Sequence, residues 1–101
     1  MPDLKTLTHT QFEACLDQPF HVEWGKADPL ETELIEVEKR GTISPGSHKR
    51  QAFSVIFRGP MEPLLPQSIH VLKNKTLGTL EVFLVPIGPD QQGMRYEAIF
   101  T

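Results

Sequence analysis

Two runs near the C-terminus decide the fold: Thr79-Leu80-Glu81-Val82-Phe83-Leu84-Val85-Pro86 and Met94-Arg95-Tyr96-Glu97-Ala98-Ile99-Phe100. Each alternates with a period of two, and the loop between them contains Gly, Pro and Asp. This pattern predicts antiparallel strands over 79–86 and 94–100, joined as a hairpin. One apolar face collects Leu80, Val82, Leu84, Tyr96, Ala98 and Phe100. Any register of even parity keeps this face continuous, so we expect it to lie in the core.

The opposite face of the hairpin is also partly apolar. Phe83, Val85 and Ile99 share it with charged residues that include Arg95. A sheet face turned to water has little reason to carry such apolar side chains, so Phe83, Val85, Ile99 and Arg95 form the candidate interaction surface. The face is covered either by the helix or the proline-rich arm of the same chain, or by a second subunit or a partner protein, because exposed apolar patches commonly mark interfaces.

The rest of the chain divides into one helix, further strands and two irregular segments. Phe12, Cys15 and Leu16 form one apolar stripe, which predicts a helix over about 8–18. Alternation predicts strands over about 20–24, 30–38, 52–58 and 68–73. Residues 40–51 are polar and rich in Gly and Ser, which predicts a mobile loop. Three prolines within 60–66 exclude a central strand there and favour an extended arm, packed through Met61, Leu64 and Leu65.

A phase change inside the second strand indicates strong curvature. Leu34 shares a face with Leu30 and Thr32, whereas Ile35 and Val37 fall on the other face. Such a slip predicts a β-bulge, which bends a strand and increases its twist. We therefore expect a single mainly β domain over 1–101. Its architecture is a strongly curved antiparallel sheet, a small barrel or sandwich of about six strands with one short N-terminal α-helix.

Composition and charge narrow the classes of partner. The formal net charge is −3. This charge argues against a nucleic-acid partner, because proteins that bind nucleic acids carry a basic face, and it provides no attraction to anionic lipid. The chain has no apolar run long enough to cross a membrane, no signal-peptide pattern and a single cysteine, so we expect a cytoplasmic location. Asn74-Lys75-Thr76 matches a glycosylation acceptor, which we interpret as chance.

The residues that could carry chemistry are scattered. His9, His21, His48 and His70 lie at no metal-binding spacing, and we expect His21 and His70 to face solvent. Cys15 is expected to be a core residue rather than a nucleophile. Glu31, Glu33, Glu36 and Glu38 are expected to form a solvated face rather than a catalytic carboxylate pair. We therefore expect no catalytic, cofactor-binding or metal-binding residues and no enzymatic activity.

Several segments also resemble a known family. They are Leu7-Thr8-His9-Thr10-Gln11-Phe12, Phe57-Arg58-Gly59-Pro60, Leu65-Pro66-Gln67, 80–90 and 93–100. Together they are similar to a bacterial family of single-domain proteins of roughly a hundred residues and unknown function, often encoded near phage-tail-collar-like genes. The resemblance covers nearly the whole chain and implies an assembly role. It implies no site residues, since the family has no assigned activity.

Two functions from different classes follow from these observations. The first is a non-enzymatic protein-interaction or assembly module that associates with itself or with a protein partner, in a phage-tail-like structure if the resemblance extends to function. The alternative is a small-molecule-binding β-barrel, which would use the interior of the barrel. A cavity inside the barrel would favour the second, and a core filled with side chains would remove it.

Overall fold

The computed structural model describes residues 7–25, 28–40 and 51–100. Its elements are α1 (His9–Glu13), β1 (Pro19–Glu23), β2 (Leu30–Lys39), β3 (Phe53–Gly59), β4 (Ser68–Asn74), β5 (Gly78–Pro89) and β6 (Met94–Phe100). The strands form a closed barrel in the order β1-β2-β3-β6-β5-β4, and all neighbours are antiparallel. The predicted fold class is confirmed, and of its two forms the protein adopts the barrel. The mobile loop predicted at 40–51 falls, over 41–50, outside the described residues.

A bulge in β2 lets the sheet curve, as the phase change predicted. Leu34 pairs with Phe57 of β3 and Glu36 pairs with Ile56, so Ile35 is the extra residue. Leu34 is fully buried before the bulge, and Val37 packs against the core after it. The bulge thus returns apolar side chains to the interior while the strand bends around it.

The β5–β6 hairpin buries the predicted face. Val85 pairs with Glu97 and Pro86 with Tyr96, a register of the even parity that the prediction required. All six residues of the predicted inner face are buried: Leu80, Val82, Leu84, Tyr96, Ala98 and Phe100. The face is the same in every such register, because a displacement by an even number of residues leaves every side chain on its own side.

The turn of this hairpin is shorter than expected, because β5 extends past 86 to Pro89. The register shifts between Pro86 and Gly88, and Gly88 has a φ of 101°. A left-handed glycine at a bulge lets the strand continue through an extra residue. A Cβ at Gly93, where the chain turns back, would overlap the carbonyl oxygen of Gly59. Both glycines are therefore required by the backbone path.

Helix α1 closes one end of the barrel and is shorter than the predicted 8–18. It begins after Thr8, whose backbone N–H donates to Gln11 Oε1 (2.9 Å), and ends at Glu13. Beyond it the backbone turns through Asp17, whose φ is 68° and whose N–H donates to Leu34 O of β2 (2.8 Å). The early end of α1 follows because this contact with β2 takes the place of another helical turn.

The proline-rich arm passes the opposite end, where β3 ends and β4 begins. Leu65 is fully buried, and its backbone N–H donates to the Tyr96 hydroxyl (3.0 Å). Met61 and Leu64 remain exposed. The prediction that the arm packs through three apolar residues is therefore correct only for Leu65.

Strand β4 places His70 inside, contrary to the prediction that it faces solvent. His70 and Asn74 are buried, whereas Ile69 is exposed. His70 Nε2 lies 2.8 Å from the carbonyl oxygen of Pro66. A buried polar group is tolerated when it has a hydrogen-bond partner, and the backbone of the arm supplies one here. The orientation of β4 turns Ile69 to the outside of the barrel.

Candidate functional site

Three large apolar side chains are exposed on the outer surface of the barrel, on the neighbouring strands β4, β5 and β6. Ile69 of β4, Phe83 of β5 and Ile99 of β6 are 65%, 50% and 55% exposed. Ile69 pairs directly with Phe83, and Ile99 follows Glu97, the partner of Val85, by two residues on β6. We call Ile69, Phe83 and Ile99 the outer row. The predicted residues Phe83 and Ile99 thus lie on neighbouring strands, and Val85 of β5 is half-buried.

Ile69 was missed from the sequence because β4 offers apolar residues at alternate positions that were free to face either way. The register of β4 against β5 identifies Ile69. Phe83 faces outward, and its direct partner across an antiparallel ladder must share its face. The helix and the arm, the two segments predicted to cover this surface from within, close the ends of the barrel instead. The outer row stays exposed in the folded chain.

Arg95, the fourth predicted residue, lies beside the outer row rather than in it. Its Nε donates to the carbonyl oxygen of Gly88 (3.2 Å), and it pairs across the ladder with Arg58 of β3. Its side chain is half-buried. We interpret the hydrogen bond of Arg95 as one that stabilises the bulged end of β5.

A charged cluster holds the β5–β6 turn against β3. Arg58 donates to Asp90 Oδ2 through both Nε (2.8 Å) and Nη2 (2.6 Å). Asp90 Oδ1 accepts the backbone N–H groups of Gln92 (2.8 Å) and Gly93 (2.9 Å). The hydrogen bond from Arg58, followed by that from the Gln92 amide, lowers the pKa of Asp90. The cluster stabilises the turn and leaves neither oxygen of Asp90 free for a ligand.

The lowered pKa of Asp90 predicts a loss of stability in acid. Its folded pKa lies below the unfolded value of about 3.9, so the stabilisation is present above that pH and is lost as the pH falls through the folded pKa. Urea midpoints at about pH 7 and about pH 3 should therefore differ more for the wild type than for Asp90→Asn. Glu36→Gln, at an exposed position on β2, should keep the wild-type pH dependence. Equal pH dependence in the wild type and Asp90→Asn would contradict the assignment.

The residues considered for catalysis or metal binding do not converge in the described part of the chain. His9 pairs with Glu13 (2.5 Å) and His21 with Glu31 (3.3 Å), while His48 lies outside the described residues. No group of three potential metal ligands occurs among residues 7–25, 28–40 and 51–100. The glutamates Glu31, Glu33, Glu36 and Glu38 are all exposed, as predicted.

Cys15 is a core residue, as predicted. It is fully buried, and its Sγ lies 3.8 Å from Asn74 Oδ1. Burial raises the pKa of the Cys15 thiol. A buried thiol with a raised pKa is a poor nucleophile, because the thiolate is the reactive form.

The interior of the barrel is filled with side chains. Its largest fully buried residues include Phe12, Phe20, Phe53, Phe57 and Tyr96. Phe20 packs edge-on against Phe57, and Phe53 stacks on Phe100. A cleft of about 390 Å³ lies on the outside, where His21, Lys73 and Lys75 are among the residues that line it. Large side chains of the described residues therefore occupy the interior of the barrel.

Within residues 7–25, 28–40 and 51–100, no helix is long and apolar enough to span a membrane.

Comparisons with known proteins give one result that bears on identity. Neither the curated proteins nor the solved structures provide a match to this chain. One family model, described as "Domain of unknown function (DUF6916)", matches residues 7–100. Because the match spans both ends of the barrel and all its strands, the chain belongs to this family of single domains of unknown function.

Proposed function

We propose that the protein is a non-enzymatic protein-interaction or assembly module and that the outer row is the centre of its contact surface. The observation that carries the proposal is the exposure of Ile69, Phe83 and Ile99 on three neighbouring strands, with Ile69 paired directly to Phe83. Single exposed apolar residues are ordinary, but several large ones on neighbouring strands of one sheet are typical of a surface that another molecule covers.

The free energy gained by burying the outer row is too small to hold a partner by itself. Full burial of a large apolar side chain contributes about 1.5–3 kcal/mol, and the outer-row residues are already about half covered. Their further burial would contribute about 3 kcal/mol in total, less than the cost of association. A stable complex buries roughly 800 Å² on each partner. The interface must therefore extend to neighbours of the outer row, such as the half-buried Val71 and Val85.

The proposal is tested by removing apolar area from the outer row while keeping the strands. We expect Phe83→Thr/Ile99→Thr to reduce self-association or partner capture at least about tenfold, because threonine retains β-propensity and loses most of the apolar contact. The measurements are light scattering after size exclusion and capture from native lysate. The free energy of unfolding should change by less than about 1 kcal/mol, since both positions are exposed.

Leu64→Thr is the matched control for this experiment. Leu64 is 56% exposed, as much as the outer-row residues, but lies on the proline-rich arm. It should retain wild-type association. A wild-type protein that stays monomeric and retains no partner would contradict the proposal, as would equal capture by the wild type and the outer-row variant.

Two further parts of the proposal come from the sequence. The first is a cytoplasmic location, and the second is an assembly role in a phage-tail-like structure, which the family resemblance implies. Proteins encoded beside this gene would supply candidate partners for the capture experiment. A neighbourhood without structural or tail-like proteins would remove the phage-tail form and leave the interaction module itself.

A further inference from the structure

We infer that the occupant of the outer row is a different protein whose apolar ridge is flanked by lysine or arginine side chains, and not a second copy of this chain. The inference rests on the proposed function and identifies the chemistry of the partner. It is carried by the distribution of charge around the outer row.

Carboxylates flank the outer row on both sides along the strands. Glu81 precedes Phe83 by two residues on β5 and pairs with Val71. Glu97 precedes Ile99 by two residues on β6 and pairs with Val85. Two residues along a strand return to the same face, so both side chains point outward with the row. Glu81 lies two residues before Phe83, whereas Glu97 pairs with the residue two after it, so the two carboxylates lie on opposite sides of Phe83.

The nearby basic groups do not neutralise these carboxylates. Lys73 Nζ pairs with Glu23 (2.7 Å), and Arg58 pairs with Asp90. Arg95 lies two residues before Glu97 on the same face of β6, on the side away from the row. Its Nε donates to the carbonyl oxygen of Gly88. Neither Glu81 nor Glu97 has an ion-pair partner among the described residues. Within the described part of the chain, the row therefore lies between two negative charges that no basic side chain pairs.

This arrangement disfavours a symmetric pair of copies. A two-fold axis along the row would place Glu81 of one copy beside Glu97 of the other, and an axis along β5 would place Glu81 against Glu81. Like charges brought together at an interface oppose association, and the net charge of −3 on each copy adds to the repulsion. Basic residues on either side of a partner's apolar ridge would instead pair with both carboxylates.

A charge-swapped copy of the chain is a direct probe. Glu81→Lys/Glu97→Lys keeps the outer row and flanks it with lysines, so it presents the surface inferred for the partner. At about 50 mM NaCl we expect the wild type and the variant each to be monomeric alone and to form a 1:1 heterodimer when mixed. The measurement is molar mass by light scattering after size exclusion. Raising NaCl to about 500 mM should weaken the heterodimer at least about tenfold.

Further variants separate charge from apolar contact. Glu81→Gln/Glu97→Gln, which removes charge without reversing it, should associate with the wild type less than the lysine variant does. Adding Phe83→Thr to the lysine variant should abolish the heterodimer. Circular dichroism establishes whether each variant is folded. If the double lysine variant does not fold, the single variant Glu81→Lys takes its place.

Two results would overturn the inference. One is a wild-type homodimer at about 50 mM NaCl that Phe83→Thr abolishes, which would make a second copy the occupant and leave the proposed function intact. The other is a mixture of wild type and folded lysine variant that stays monomeric. The proposed function fails separately, if the outer-row variant captures the same proteins as the wild type.

Discussion

Phe12→Ala is expected to cost about 3–5 kcal/mol of the free energy of unfolding, the largest effect of any change proposed for this protein. Phe12 is fully buried at the end of the barrel closed by α1. Its ring centroid lies 5.6 Å from that of Phe53 and 5.2 Å from that of Phe100. Alanine would leave a cavity between these rings that the closed sheet cannot easily collapse to fill.

The loss should also detach α1. A helix of five residues has little stability of its own and depends on the contacts of its apolar side. Because domains of this size have only about 5–15 kcal/mol of stability in total, Phe12→Ala should unfold at markedly lower urea concentration. Phe12→Leu, which keeps much of the buried volume, should cost about 1–2 kcal/mol.

Leu16→Ala is the matched surface control for Phe12→Ala. Leu16 follows in the same N-terminal segment but is 39% exposed, so its replacement should cost less than about 1 kcal/mol. Urea unfolding followed by circular dichroism measures all three variants. An equal cost for Phe12→Ala and Leu16→Ala would show that α1 does not close the barrel in solution.

Asn74→Ala is expected to cost about 3 kcal/mol, because one buried amide joins two segments of the chain. Asn74 Nδ2 donates to Pro19 O (3.0 Å) and to Gln18 Oε1 (3.2 Å). Its Oδ1 accepts the backbone N–H groups of Thr76 (2.8 Å) and Leu77 (2.9 Å) in the β4–β5 turn. Alanine would remove the partner of the Pro19 carbonyl oxygen and of the Thr76 and Leu77 N–H groups, and each buried unpaired group costs about 1–3 kcal/mol.

Thr76→Ala is the matched control within the same turn. It removes the exposed hydrogen bond from Thr76 Oγ1 to Gln18 Oε1 (3.2 Å) and should cost less than about 1 kcal/mol. Thermal and urea unfolding of both variants provide the comparison. If Asn74→Ala unfolds like Thr76→Ala, water replaces the buried network. The same network occupies Nδ2 of the buried Asn74, the nitrogen that a glycosylation acceptor has to present.

Local patterns in the sequence were sufficient for several features of the fold. Period-two alternation predicted the strands, and the parity of the hairpin predicted which of its residues are buried. The phase change at Leu34 and Ile35 predicted the bulge in β2. Each of these features depends on residues close together in the chain, where spacing alone relates one side chain to the next.

The candidate site could be predicted only in part. Phe83, Val85 and Ile99 were identified because both faces of one hairpin carry apolar residues. Ile69 was not identified, because the expectation that His70 faces solvent places its neighbour Ile69 on the inner face. Its pairing with Phe83 joins strands whose register is set by closure of the barrel. The burial of His70 had the same cause, since its partner, the Pro66 carbonyl oxygen, is brought over it by the arm.

The sequence by itself determined which residues share a face, where the sheet bends and which family the chain resembles. Only the tertiary structure decided which face of each strand points inward, how far α1 and β5 extend, and that the outer row is left uncovered. The physical reason is that alternation is a property of one strand, whereas inside and outside are defined by closing six strands into a barrel. The buried amide of Asn74 and the exposed ring of Phe83 both follow from that closure.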